Sequence, residues 1–305
     1  MPGSTEGRER VKSSWGEGLG CVIDLPHYRL DDLRRFATAS GTALGVPPAR
    51  AAELASHLLW FDAAGLSAFG IATLPAWLER IEARSVEAAA EGRVTAERTS
   101  LVVLDGQNGI PPLILARAGE LAVEKARDSG VGIVRVSHLG PTGPAAVVAA
   151  EMAVGPVAAV ILGPGPSWTC AFPSAEGLPA VFDSALGPRP GGTTTRSRWA
   201  APPDPGPMMA PWIAAMAPEG GWLIAAIAVA ALESLATFHE RVGATLDAVR
   251  EWPGGLLPGP WEARRRIARE AGVPLAAEAM TPLTRWGDRL GVEPLARVDA
   301  PRPES

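Results

Sequence analysis

The sequence predicts an α/β protein, and three observations carry that reading. Between Thr99 and Phe182, short Val- and Leu-rich runs alternate with turn clusters and helical stretches, the pattern of a layered sheet-and-helix domain. On either side of that block, apolar residues recur at helical spacing. The chain has 305 residues, 47% hydrophobic and 20% charged, enough to bury a substantial core.

The elements follow in order. Residues 1–23 are rich in Gly, Ser and charge and read as an arm without a core of its own. A helix is expected over Leu30 to Gly41, with Asp31 and Asp32 favouring its first turn and Gly41 its end. Pro47 and Pro48 open the next, in which Ala51, Leu54, Leu58 and Phe61 recur at helical spacing. Gly65 and Gly70 interrupt regular structure before helix resumes from Leu74 to Ala83, completing a helical region over 24–98. The α/β block, 99–186, starts with a strand over Thr99 to Asp105 and a turn cluster, Asp105 to Gly109. An amphipathic helix from Leu113 to Ser129 stops at Gly130. A strand over Gly132 to Val136, a helix over Ala145 to Met152 and a strand over Val157 to Leu162 follow, and Pro179 to Phe182 adds another strand. Residues 187–218 are dense in Pro, Gly, Thr and Arg and read as a long loop. Trp222 to Arg241 reads as a strongly apolar helix, and helices over Glu262 to Ala271 and Leu283 to Leu290 complete a C-terminal helical region, 219–295, before a tail over 296–305.

Composition narrows the function. The net charge of -5 offers no cation excess to neutralise phosphates, which argues against a nucleic-acid partner. Cys21 and Cys170 are the only cysteines, without metal-ligand spacing or a His cluster, so neither zinc nor a disulfide scaffold is expected. No signal peptide is read at the polar start, and the longest apolar run, Trp222 to Leu232, is too short to span a bilayer. A cytoplasmic location is expected.

The segment Asp62 to Pro75 reads Asp-Ala-Ala-Gly-Leu-Ser-Ala-Phe-Gly-Ile-Ala-Thr-Leu-Pro. It resembles the catalytic segment of the malate/L-lactate dehydrogenase family, the 2-keto acid and cyclic imine reductases without a Rossmann fold, which reads roughly Asp-x-x-Gly-x-x-Ser-His-Gly-x-x-Arg-Leu-Pro. Phe69 stands where that family has its proton-transferring His, and Thr73 where it has a carboxylate-holding Arg. Asp62, Gly65, Gly70, Leu74 and Pro75 are kept. Gly130 to Gly140, Gly-Val-Gly-Ile-Val-Arg-Val-Ser-His-Leu-Gly, is similar to the family's central strand and its Ser-x-His-x-Gly turn beside the nicotinamide. The tail from Pro253 to Val292 follows the family's closing helices. The resemblance implies a central mixed sheet with a helical domain built from both chain ends, and a homodimer.

Departures gather on the chemistry. The family's Gly-Thr-Asn-Pro loop has Gly163-Pro164-Gly165-Pro166 as its nearest counterpart, and its Pro-x-Gly-Gly-x-Lys-Gly cofactor loop reads Pro218-Glu219-Gly220-Gly221-Trp222-Leu223-Ile224. Gly163, Gly220, Gly221 and Leu223 are therefore degenerate cofactor positions. A keto acid reductase needs a proton donor, a fixed cation for the carboxylate and donors for the dinucleotide phosphates. Phe69, Thr73 and Leu223 supply none of these. No cofactor is expected, with NAD(P)H the alternative.

His138, on a turn between Ser137 and Gly140, is the candidate general acid or base, with Ser137 assisting; a turn-capping His is the competing reading. Phe69, Thr73, Trp168, Trp222 and Asp183 are the candidate substrate pocket. Asp183 is also read as a turn former, Asp62 as a brace of its turn, Asp105 as a turn residue, and Cys170 as unactivated. Three functions compete. The first is an enzyme repurposed for non-redox acid–base chemistry (isomerisation, elimination or cyclisation) on a small, rather apolar substrate. Its setting would be secondary metabolism, from the Ala, Gly, Pro and Arg bias. The others are a diverged NAD(P)H-dependent reductase and a dead partner of an active paralogue.

Overall fold

A computed structural model describes residues 25–165, 167–175, 177–186, 221–248 and 255–298. The arm over 1–23, the Pro/Gly-rich stretch 187–218 and most of the tail over 296–305 lie outside these residues, as do Pro166 and Gly220.

The N-terminal region is helical. After a two-residue strand β1 (His27–Tyr28) come α1 (Leu30–Ala43), α2 (Pro48–Ala63), two short 3-10 turns (Ser67–Phe69 and Ile71–Thr73) and α3 (Leu74–Glu82). The capping chemistry matches the sequence: Asp31 and Asp32 in the first turn of α1, Pro48 opening α2, and Gly65 in a left-handed conformation just past its end.

The α/β block begins with β2 (Arg93–Glu97) and β3 (Leu101–Asp105). It continues through α4 (Pro111–Ser129), β4 (Val131–Ser137), α5 (Ala146–Met152), β5 (Val157–Leu162), β6 (Trp168–Phe172) and β7 (Ala180–Asp183). The later chain adds β8 (Trp222–Ala228), α6 (Leu235–Ala248), β9 (Gly255–Leu256), α7 (Pro260–Ala271), β10 (Val273–Pro274) and α8 (Ala277–Leu290). Eight strands form one sheet in the order β2-β3-β4-β8-β5-β6-β7-β9. It is mixed: β3 and β4 run parallel and the other neighbours antiparallel.

Two cores follow. In the sheet, alternate residues such as Val102, Leu104, Val134, Val136, Ile224 and Ala226 turn toward α4 and α5 and are buried. α4 lies so close to β4 that a Cβ on Gly132 would stand 1.9 Å from the Ala122 carbonyl oxygen, which explains the glycine. The second core joins α1, α2 and α3 to α8, with Leu33, Leu58, Leu78, Leu283 and Trp286 buried together. The helical domain is thus built from both chain ends.

Several elements differ from the sequence reading, among them the strands β2 and β6, which it did not expect. Trp222–Ala228 is a strand in the middle of the sheet, flanked by β4 and β5, and helix begins only at Leu235. Residues 219–295 are therefore not wholly helical. A continuous apolar run suits a buried strand and a buried helix equally, and here the sheet supplied partners on both edges. α8 also starts ahead of Leu283, at Ala277, and carries Pro282 within it.

Candidate active site

β3 and β4 are parallel neighbours, with Asp105 opposite Ser137 in register. Their carboxyl ends therefore deliver two loops to the same place, a common location for ligand groups in α/β sheets. The loops are locked by backbone. Gly106 N donates to the Ser137 carbonyl at 2.8 Å and Asn108 N to the His138 carbonyl at 3.0 Å. A Cβ on Gly106 would lie 2.9 Å from both carbonyl oxygens, so glycine is required there.

This lock holds strained backbone. Gln107, Asn108 and His138 have φ of 53, 52 and 50 degrees, the left-handed region that non-glycine residues seldom enter. The conformation presents the imidazole, whose side chain is 57% exposed, with Nδ1 3.0 Å from Asp105 Oδ1. Asp105 also accepts from the Gln107 amide at 2.9 Å and lies 3.5 Å from Arg93. The Gln107 amide, then His138 and Arg93, hold its carboxyl below the usual range, so it is ionised at neutral pH. A carboxylate on Nδ1 orients an imidazole and assigns proton transfer to Nε2, the nitrogen that does not face Asp105. Asp105, read from sequence as a turn residue, is thus also the partner of His138. The matched ends of two parallel strands were the signal that could have shown it. Ser137 contributes its carbonyl to the lock.

The segment Asp62 to Pro75 is built differently. Asp62 is buried, and its Oδ2 accepts from the Ile71 amide at 2.7 Å. Burial pushes its carboxyl up to about 7, against the pull of that amide. A Cβ on Gly70 would stand 2.2 Å from Asp62 Oδ1, so Gly70 makes room for the brace. Thr73 donates its hydroxyl to the Gly70 carbonyl at 2.8 Å. Phe69 is half-buried, its ring 5.8 Å from that of Phe61 in an aromatic chain continuing through Trp60 to Trp261.

Other predicted positions lie apart. Asp183 is buried on β7 and accepts from Thr169 Oγ1, from the Ala185 amide and from the amides of Ala145 and Ala146. It caps α5 and is a structural carboxylate, not a pocket wall. Trp222 is buried in β8 with its indole over Gly163, where a Cβ would meet the ring at 2.6 Å. Trp168 is half-buried on β6, with its amide donating to Ser184 Oγ. Burial pushes the Cys170 thiol up to about 12, which leaves it inert.

Two of the degenerate cofactor positions are taken up by packing within the sheet. Leu223 sits in mid-sheet, paired with Arg135 on one side and Leu162 on the other. Gly221 leads directly into this strand, and Gly163 makes room for Trp222. Among the described residues no cluster of three or more His, Cys, Asp or Glu could hold a metal, and no helix is long and apolar enough to cross a membrane. Two open cavities, about 850 and 400 Å³, border α8. None of the candidate site residues lines either.

A family model described as malate/L-lactate dehydrogenase matches residues 28–161, the span holding both loops and the Asp62–Pro75 segment. Over these residues the chain is similar to the malate/L-lactate dehydrogenase family. Malate dehydrogenase of Pyrococcus abyssi (strain GE5 / Orsay) is 31% identical over 134 residues, 42% of this chain and 37% of that protein. L-sulfolactate dehydrogenase of Methanothermobacter thermautotrophicus is 31% identical over 105 residues, 33% of this chain and 31% of that one. These matches span about a third of the relatives' length. The fold likeness is wider. The malate dehydrogenase structure from Pyrococcus horikoshii OT3 superposes with a TM-score of 0.72 at 19% identity, covering 89% of this chain and 97% of that one. A delta1-piperideine-2-carboxylate reductase from Pseudomonas syringae gives 0.67 at 16%, covering 85% and 99%. The family's scaffold therefore continues beyond the stretch where sequence similarity is detectable.

Proposed function

We propose that this protein is an acid–base enzyme acting on a small substrate without redox chemistry, by isomerisation, elimination or cyclisation. The observation that carries the reading is the His138–Asp105 pair on the locked ends of β3 and β4. His138 Nε2 takes a proton from carbon or returns one, and Asp105 holds the ring and stabilises the imidazolium as it forms. The aromatic chain from Phe69 to Trp261 and the internally bonded, half-buried hydroxyl of Thr73 stand in place of a proton donor and a cation, which suits a rather apolar substrate. A cytoplasmic setting in natural-product metabolism fits the composition, and a homodimer is what the family resemblance implies.

Similarity to malate dehydrogenases favours a second reading, a diverged NAD(P)H-dependent reductase. The packing of Gly163 and Leu223 argues against it at those two positions.

Proton exchange separates the two. Small carbonyl acids and ketones incubated with the protein in D2O should lose their α-protons, as followed by NMR, without added nucleotide. His138→Asn should slow exchange by about 10²–10⁴-fold, and Asp105→Asn by about tenfold or more. Absence of exchange across the panel, with NAD(P)H oxidised by the same compounds, would overturn the proposal.

A further inference from the structure

A cation stands beside the His138 turn that no residue in the Asp62–Pro75 motif provides. Arg80 lies on α3, seven residues after Thr73. Seven residues are about two helical turns, roughly 10 Å along the axis and on the same face. Trp77 lies on that stripe, and the Arg80 guanidinium stacks on it with Cζ 4.5 Å from the ring centroid. Its Nη2 lies 3.2 Å from where a Cβ on Gly140 would be, so the guanidinium rests against the backbone of the turn. Gly140 is two residues from His138, at most about 7 Å between Cα atoms.

Two features leave this cation open to an anion, the first of them shared by Arg264. Arg80 is half-buried, and burial weakens its hold on the proton, with no neighbouring carboxylate opposing that effect. Arg35, Arg93, Arg117, Arg241 and Arg289 each meet an acid; among the described residues Arg80 meets none. Nor does the nearby start of α4 offer anion-binding amides. Residues 111 and 112 are prolines, and the amides of Leu113 and Ile114 donate to the Ile110 carbonyl. An anion at this turn would therefore not be held by the start of α4.

We propose that Arg80 holds a carboxylate of the substrate against the Gly140 turn, about two helical turns from Thr73. The planar guanidinium, fixed by Trp77, suits bidentate recognition of a carboxylate. The substrate would then be an acid with an apolar body, its carboxylate at Arg80 and its exchangeable proton at His138. The proposal takes only the place of His138 from the acid–base reading.

The test uses benzoate and benzamide, which share a ring and differ in charge, titrated into the intact protein by calorimetry and NMR. Benzoate should bind at least about tenfold more tightly than benzamide and shift the Trp77 indole resonance. Arg80→Met should erase the preference, Arg80→Lys should keep part of it, and His138→Asn should leave it within about twofold. Equal affinity for the two probes, an unmoved Trp77 resonance, or a preference that survives Arg80→Met would overturn the proposal. Loss of proton exchange with the benzoate preference intact would instead count against the acid–base reading alone.

Discussion

The segment Asp62 to Pro75 and the paired loops at the ends of β3 and β4 are both matched by the family model, yet they are built on opposite plans. In the first, polar groups turn inward. The Asp62 carboxylate serves the Ile71 amide, the Thr73 hydroxyl serves the Gly70 carbonyl, and Phe69 leans on Phe61. In the second, backbone bonds hold three residues at positive φ and turn an imidazole and a carboxylate toward solvent. The difference teaches that bracing and chemistry are carried by different residues. A turn can lose its reactive side chains and still be held, because Asp62 and Gly70 hold it.

The widest effect is expected from pH. His57 and Asp62 lie on α2, both buried, and burial moves them in opposite senses. His57 is lowered to about 4 and Asp62 raised to about 7. A lowered His gives stability that is present above its unfolded pKa of about 6.5 and is lost as pH falls toward 4. A raised Asp gives stability that is present below its unfolded pKa of about 4 and is lost as pH rises through 7. Between pH 4 and 6.5 the two slopes oppose each other. Relative to the parent, Asp62→Asn should gain stability as pH rises across this window, by up to roughly 4 kcal/mol, and His57→Phe should gain it as pH falls. Denaturant titrations at pH 4, 5.5, 7 and 8 read this directly. Parallel curves for Asp62→Asn and the parent would show that Asp62 is not the buried brace described.

Next in size is Gly70→Ala, which places a methyl within 2.2 Å of a buried carboxylate tied to the Ile71 amide. Either the carboxylate leaves its partner or the turn shifts, at a cost of about 3 kcal/mol. In an Asp62→Ala background the same change should cost much less. Additive losses would mean that Gly70 serves something other than Asp62.

Much of this division was legible in the sequence. Gly65, Gly70, Gly130 and the opening prolines mark the helix limits, because each acts through local backbone geometry. Asp62 as a brace and Cys170 as inert were also readable. Trp222–Ala228 was not. Its seven apolar residues, five of them alanine or isoleucine, carry no period that separates a helix from a strand buried between two neighbours. Leu223, read as a position of the cofactor loop, lies inside this strand. Asp183 looked like a site residue because its partners, the amides of Ala145 and Ala146, lie nearly forty residues away. Arg80 escaped notice because its significance rests on Gly140, sixty residues on.

The smallest expected effect bears on Phe69, the residue at which the two plans meet. Its ring is half-buried against Phe61 and packs on the core that includes Leu139, the residue after His138. Phe69→Leu keeps an apolar contact and gives up ring edge contacts, so stability should fall by about 1 kcal/mol. If Phe69 only closes the core, proton exchange at His138 should stay within about threefold. If its face forms a wall against the substrate, Phe69→Leu should weaken binding while leaving the rate at saturation unchanged. Phe69→His then sharpens the contrast. A His at 69 would meet the Phe61–Trp60 aromatic surface, not a carboxylate partner such as Asp105 gives His138. Restoring the family residue should therefore not restore the family's proton donor, and any nicotinamide-dependent reduction gained by that variant would show that the old site survives behind the aromatic ring.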